Sequence, residues 1–530
     1  VPEAPAHHAR LRRLAPWLAA IALAAACTPT ATPTITLALD DPSISAIRGE
    51  TIQVAVDLTR LGGADAPVAL TISGLPANVT ATFAPPTLSG ATTARTRPLS
   101  GAAAAAEGIA DLTVTGTAGT LTTDAELTLD IASLTVTGRV EGAFQRPVIG
   151  ATVASQGETT FSDATGAFTL SGLALPYDLA ISAAIDDGAL HVYEGLTSPT
   201  PLLRPTFAAL SFPGSGFDAT INGNVTGGAL GASEVAIVCV EGLAVIVYGC
   251  DTLGVGESSY SVGAFWFDGG TTSVRLHALH FEVDAEGVPT AYLGYETILL
   301  NLADGGVTLA DLDFDPVASG TLSGTTSHPV ALPDSTLVVM ARFGPNLSLS
   351  IAEVSDPDDA FAVIVPVLPG LSYDVLFGAS DANGGTLTWR HDVGLDAGAF
   401  AVTAPTQQVA PADGAVGVNL ATPFTTTAVG GARTYIWIPD AGGPFIALTT
   451  TRTAVTIPNP ALGGFPFPAG ALYDWGIVGH GDDSVDVAAS GGYADFATLI
   501  YSILGAGGPG LDGDRSLSLP NDDRGFTFAP

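Results

Sequence analysis

Thr135-Val136-Thr137-Gly138-Arg139-Val140 sets β-favouring residues around a single glycine, and the chain repeats the pattern twice. Thr220-Ile221-Asn222-Gly223-Asn224-Val225 and Thr321-Leu322-Ser323-Gly324-Thr325-Thr326 follow at domain-sized intervals. Alternation with period two belongs to a strand with one buried face. One opening strand recurring at such spacing predicts three successive sandwiches of related plan, not one large barrel. Composition agrees. The chain has 530 residues, 47% of them hydrophobic and only 13% charged, with 63 glycines and 37 prolines. That length exceeds what one core serves, and the balance is too apolar for disorder. The reading is an all-β exported protein of tandem β-sandwich modules.

Charge narrows the partners. Fifty-two acidic residues face seventeen basic ones, all arginine, for a net charge of −35. Such a surface repels phosphate backbones, so nucleic acid is excluded as a partner. It suits solubility and weak cation binding.

Residues 10–27 decide location. Arg10, Arg12 and Arg13 precede a thirteen-residue apolar run at 14–26. As a helix it reaches about 20 Å, short of a ~30 Å hydrocarbon core, so it reads as a signal sequence rather than a membrane span. Its end, Leu23-Ala24-Ala25-Ala26-Cys27, resembles a bacterial lipoprotein signal, with the leucine four residues before the cysteine instead of three. The resemblance implies acylation of Cys27 and a membrane anchor on the outer surface or in the periplasm. Residues 28–34 form a Thr/Pro tether.

The modules carry further resemblances. Over 35–133, Gly74-Leu75-Pro76-Ala77-Asn78-Val79-Thr80-Ala81-Thr82-Phe83 and Leu112-Thr113-Val114-Thr115-Gly116 resemble bacterial immunoglobulin-like modules. A run of five alanines at 102–106 departs from that pattern and favours a helical turn. Over 134–213, Asp163-Ala164-Thr165-Gly166-Ala167-Phe168 resembles the carboxypeptidase regulatory-like domain, a transthyretin-like sandwich without an active site. Gly166 there permits a tight turn and Phe168 returns to the core. Residues 214–317 and 318–405 are expected to be two further sandwiches. Over 406–504, Ala410-Pro411-Ala412-Asp413-Gly414, Tyr435-Ile436-Trp437 and Tyr473-Asp474-Trp475 resemble a fibronectin type III-like module. Residues 505–530 read as a flexible tail.

Few residues invite chemistry. Cys239 and Cys250 are the only pair outside the signal, in a Val/Ile-rich run broken at Glu241-Gly242; in an oxidising compartment they are expected to form a disulfide. Phe265-Trp266-Phe267 is a strand whose alternation turns either Trp266 or its two neighbours outward; an outward Trp266 could stack on a sugar face, while core packing is the plainer reading. His277 and His280 lie three apart on a strand, on opposite faces, and cannot share a metal locally. Asp311-x-Asp313-x-Asp315 is expected to be one acidic strand face and lacks the glycine turn and distant Glu of a calcium loop. Asp356-Pro357-Asp358-Asp359 and Asp482-Asp483 are loop acids. Gly505-x-Gly507-x-x-Gly510 matches a dinucleotide fingerprint by letter, but Pro509 interrupts it and no helix follows. The sequence thus predicts no catalytic centre, metal or cofactor. It favours a non-catalytic, lipid-anchored envelope protein, a spacer, adhesion or interaction module, meeting envelope polysaccharide or envelope proteins. The alternative is a carbohydrate- or peptide-binding accessory protein.

Overall fold

The computed structural model describes residues 32–529 apart from 90–92, 102, 143–145, 184–187, 206–215, 268, 358, 428–429, 441–443, 465–466, 492–513 and 521–523, with backbone alone over 93–101. It is all-β, built of sandwich modules, and divides into two compact units, 1–133 and 134–530.

In the first unit two five-stranded sheets face each other. One holds Thr34–Leu39, Ala55–Leu61 and Thr93–Gly101, the last flanked by Thr51–Ile52 and Val79–Ala84. The other runs Ser43–Ile47, Leu121–Ala132, Gly108–Ala118, Val68–Ser73, Thr87–Leu88. Alternation sends Val56, Val68, Leu112, Val114, Leu127 and Leu129 inward, as period-two strands with one wet face require. The alanine run makes no helix in its described part; residues 103–104 turn, and Ala105 is buried in the core.

The second unit shows what the repeated glycine is for. The opening strands Leu134–Val140, Phe217–Asn224 and Ala318–Ser327 each pair antiparallel with a return strand and parallel with a strand late in their module. Each central glycine sits directly opposite an aromatic residue: Gly138 faces Phe168, Gly223 faces Tyr260, and Gly324 faces Phe361. A Cβ on any of the three would overlap that ring and a backbone carbonyl of the adjacent segment, Pro201, Ala310 or Gly398. The missing side chain lets the ring lie across the strand and close the core; all three rings are buried. The facing sheets repeat as well. Thr152–Ser155, Glu158–Phe161, Tyr177–Ala183 and Ala189–Leu196 match Glu234–Gly242, Cys250–Leu253, Thr271–Val283 and Pro289–Ala303 in pairing order. Asp334–Gly344, Leu347–Ser355, Ser372–Asp381 and Gly384–Val393 follow the same order. In the first copy the Asp163 turn closes as its residue types demand. Its carboxylate accepts from the Thr165 N–H and hydroxyl and the Ala167 N–H, Gly166 takes φ +79°, and Phe168 enters the core.

The fifth module packs Gln408–Ala410, Phe424–Thr426 and Ala454–Val455 against Arg433–Pro439, Phe445–Thr450 and Leu472–Gly479. Phe424 stands edge-on to Trp437, Trp475 and Phe526, with ring centres 5.3, 5.2 and 5.4 Å away. Phe526 corrects the expectation of a flexible tail over 505–530. Arg524–Phe528 pairs with Leu472–Gly479 and Ala415–Val418, and Phe526 and Phe528 lie in this core. Arg515–Pro520 is a strand too. The Gly-Asp-Pro flanks hid a short alternation, Gly525-Phe526-Thr527-Phe528, that closes the sandwich.

Nor are these modules independent beads. Ala189–Leu196 of the second module pairs in parallel with Phe445–Thr450 of the fifth, from Ala189↔Phe445 to Tyr193↔Thr449. Arg515–Pro520 pairs with Gly384–Val393 of the fourth and meets Leu472–Gly479 at Gly479↔Ser518. One fourteen-stranded sheet therefore runs through the second, fifth and fourth modules. Between the third and fourth, Cys239, Leu279, Phe281 and Tyr292 share one core with Leu337, Leu347 and Phe361. The short helix Val485–Ser490 adds another tie: Asp486 accepts bonds from the Thr197 N–H and hydroxyl and the Ser198 N–H.

Candidate functional site

Of the residues singled out from sequence, Cys27 and the Gly505–Gly510 fingerprint lie outside the described residues. Cys239 and Cys250 are joined by a disulfide across a directly paired register, beside the core shared by the third and fourth modules. Trp266 is fully buried, its indole N–H donating to the Gly269 carbonyl at 2.7 Å. This corrects the ligand-stacking role: the strand Ser259–Trp266 takes the phase that turns Phe265 outward instead. Tyr435, Trp437, Tyr473 and Trp475 are buried likewise.

His277 and His280 go to different carboxylates. His277 bonds Glu241 through Nε2 at 3.1 Å and the Tyr295 hydroxyl through Nδ1 at 2.7 Å, while His280 reaches Glu234 at 3.2 Å. Burial pushes Glu241 towards its neutral form, but His277 and Arg275 outweigh it and hold its pKa below the usual value. The Asp311–Asp315 run is not one strand. Asp311 accepts from the Asn224 backbone and side-chain amides, Leu312 makes an isolated bridge to Val225, and only Asp315–Pro316 pairs as a strand. Among the described residues no three His, Cys, Asp or Glu side chains are grouped to hold a metal ion, and no helix is long and apolar enough to cross a membrane.

Sequence reasoning missed the polar groups buried where modules join. At the seam between the second and fifth modules a hydrogen-bonded chain crosses three strands and ends at His480, just past the end of Leu472–Gly479. His191 Nε2 lies 2.7 Å from the Thr449 hydroxyl, which is 2.8 Å from the Thr434 hydroxyl, itself 2.8 Å from His480 Nε2. All four are buried. Desolvation, with His480 adding to it, drives the His191 pKa down to about 3; desolvation and the Arg515 charge drive His480 to about 4. Nearby, burial raises Asp483 to about 6 against the pull of Arg515. A second group lies in the fourth module: buried Asp374 accepts from His391 Nδ1 at 2.8 Å and the Asp392 N–H at 3.1 Å, with Arg342 at 3.9 Å. Burial raises the Asp374 pKa despite these partners. The sequence signal was the loss of alternation in Ala189–Leu196 and Phe445–Thr450, whose burial on both faces marks strands covered twice.

The same seam holds a solvent-open cavity of about 660 Å³. Its floor is one cross-strand row, Ala154, Ala180, Val192 and Leu448. The turn Pro460–Gly463 stands over it, with Leu462 half-exposed. Glu158, Asp178 and Glu194 line it, and Arg452 is ion-paired to Glu194.

No family model matches the chain, and no curated protein matches it. Among solved structures, domains 5–6 of the S-layer protein SbsC align with 14% identity over 52% of this chain and 99% of that one, with a TM-score of 0.15. Titin domains I67–I69 align with 11% identity over 52% and 98%, with a TM-score of 0.14. The ICAM-5 D1–D4 ectodomain fragment aligns with 8% identity over 92% and 99%, with a TM-score of 0.13. Scores this low carry no argument about function.

Proposed function

We propose that this is a non-catalytic protein of the bacterial cell envelope, exported by residues 10–27, anchored by lipid on Cys27, and acting as a structural and interaction module. The observation that carries the reading is the fourteen-stranded sheet. It fuses three sandwiches into one body, and the buried chain His191–Thr449–Thr434–His480 ties the second module to the fifth. The disulfide fits an oxidising compartment. The charge of −35 directs partners away from nucleic acid and towards envelope polysaccharide or envelope proteins. The test is fractionation with metabolic acyl labelling, followed by co-sedimentation with the host's polysaccharide and peptidoglycan, with and without calcium. The expected results are label and membrane retention lost together in Cys27→Ala, and saturable retention of the purified protein on one envelope fraction. A protein that is unlabelled and stays in no envelope fraction would sink the reading.

A further inference from the structure

We infer that the cavity at the seam of the second and fifth modules binds an extended peptide segment presenting an arginine or lysine beside branched aliphatic side chains. The inference rests on the interaction reading above and gives it a site and a ligand class.

Three features select this occupant. The floor is aliphatic and continuous: Ala154, Ala180, Val192 and Leu448 are successive partners across four strands, and three of them belong to the fifth module's core. An apolar row of this kind takes Val, Ile or Leu side chains. Among the described residues no aromatic side chain lines the cavity, so none of them offers a sugar ring a face to stack on, which favours peptide over carbohydrate. The charges are lopsided. Among the described lining residues Glu158, Asp178 and Glu194 face one cation, Arg452, already committed to Glu194. Within a chain that has no lysine and carries −35, a cationic partner is drawn in and a second copy repelled.

The walls are set before any ligand arrives. The hairpin tip is held by Gln156, whose amide donates to the Ala174 carbonyl and accepts from its N–H, both at 2.9 Å. Ser155 donates to the Asp178 carbonyl at 2.7 Å. Across the cavity Asn459 caps the Pro460–Gly463 turn by accepting from the Ala461 N–H. A rigid site loses little entropy on binding. The rim strand Glu158–Phe161 is the last of its sheet and pairs, among the described residues, with Thr152–Ser155 alone. Its outer edge therefore offers backbone groups to an extended chain, which favours a peptide over a compact amine.

The test is fluorescence anisotropy of the purified protein with three labelled hexapeptides: Gly-Val-Arg-Val-Leu-Gly, its Arg-to-Glu counterpart, and Gly-Ser-Arg-Ser-Ser-Gly. Only the first is expected to bind saturably below millimolar concentration, and more weakly at high salt. Glu158→Arg, on the exposed hairpin, and Leu462→Asp, on the half-exposed turn, are each expected to weaken it about fivefold or more. Equal binding of the acidic peptide, wild-type affinity in Glu158→Arg, or no saturation by any peptide would overturn the assignment. If the protein still sediments with an envelope fraction while no peptide binds, the groove assignment falls and the interaction reading stands; peptide binding without envelope retention gives the reverse.

Discussion

Acid should loosen the seam between the second and fifth modules before it unfolds either sandwich. His191 and His480 are neutral in the folded state down to about pH 3 and about pH 4, whereas in the unfolded chain they protonate near 6.5. Below 6.5 the unfolded state therefore binds protons that the folded state refuses, and stability falls as pH falls. The loss is about 1.4 kcal/mol per pH unit for each histidine, approaching about 5 kcal/mol for His191 and about 3 kcal/mol for His480. Asp483 works the other way. Held near 6 against 3.8, it takes up its proton first in the folded state, returning at most about 3 kcal/mol as pH drops through that window, and less because its part-exposed carboxylate is screened by solvent. The balance is a net loss of at least about 5 kcal/mol between pH 6.5 and 3. Because several modules preclude one two-state transition, the assay is hydrogen exchange of the paired strands Ala189–Leu196 and Phe445–Thr450. Their protection should drop between pH 6.5 and 4, after correction for intrinsic exchange, while that of Gly108–Ala118 in the first unit stays level. Replacing His191 with leucine should flatten the drop by more than half. An unchanged pH slope in that variant would refute the reasoning.

Four other outcomes follow from the packing. Gly138→Val should destabilise the second module by at least about 2 kcal/mol, since the new side chain meets Phe168; thermal unfolding checks it, and Gly263→Ala, in the strand Ser259–Trp266, whose Cβ would meet nothing within 4 Å and whose φ is not positive, is the control for lost space. Phe526→Ala should cost about 3–5 kcal/mol and expose the fifth module to limited proteolysis; a loosely attached tail would leave digestion unchanged. Trp266→Ala should lower the melting temperature by a core deletion of similar size, and any loss of polysaccharide retention should then track the fraction unfolded. Reducing Cys239–Cys250 should cost about 2–3 kcal/mol, read as faster exchange in Glu234–Gly242 and Leu347–Ser355, which share its core.

The repeated opening strand was legible because its glycine is enforced by contact: a ring occupies the place of its side chain, so the letter recurs wherever the plan does. Phe168 was legible as a core residue, but not as the partner of Gly138: Phe168, Tyr260 and Phe361 stand some thirty-odd residues on, and only register reveals the pairing. For Trp266 local reasoning favoured the core, and the strand takes that phase. Period two by itself allows either phase, and the choice is made by Val247 and the facing sheet. The closing strand at Phe526 was masked by its flanks, whose glycines and aspartates outnumber its two phenylalanines. The joints between modules were least visible. A strand that pairs in parallel with one from a remote module has no turn to announce it, only buried residues on both faces. The cavity inherits that obscurity, because its floor exists only once the two modules have met.

The joint between His191 and Thr449 spans 258 positions of chain. Ribosomal synthesis delivers residues in order, so the second module is complete long before its partner strand exists. Until then Ala189–Leu196 is a bare sheet edge carrying Leu190 and Val192, the kind of edge that recruits stray strands. A newborn chain thus passes through an interval in which its own neighbours compete with the rightful partner. The burden falls on whatever shields that edge during biogenesis, and truncated forms ending before Phe445 should be more prone to misassembly than the whole.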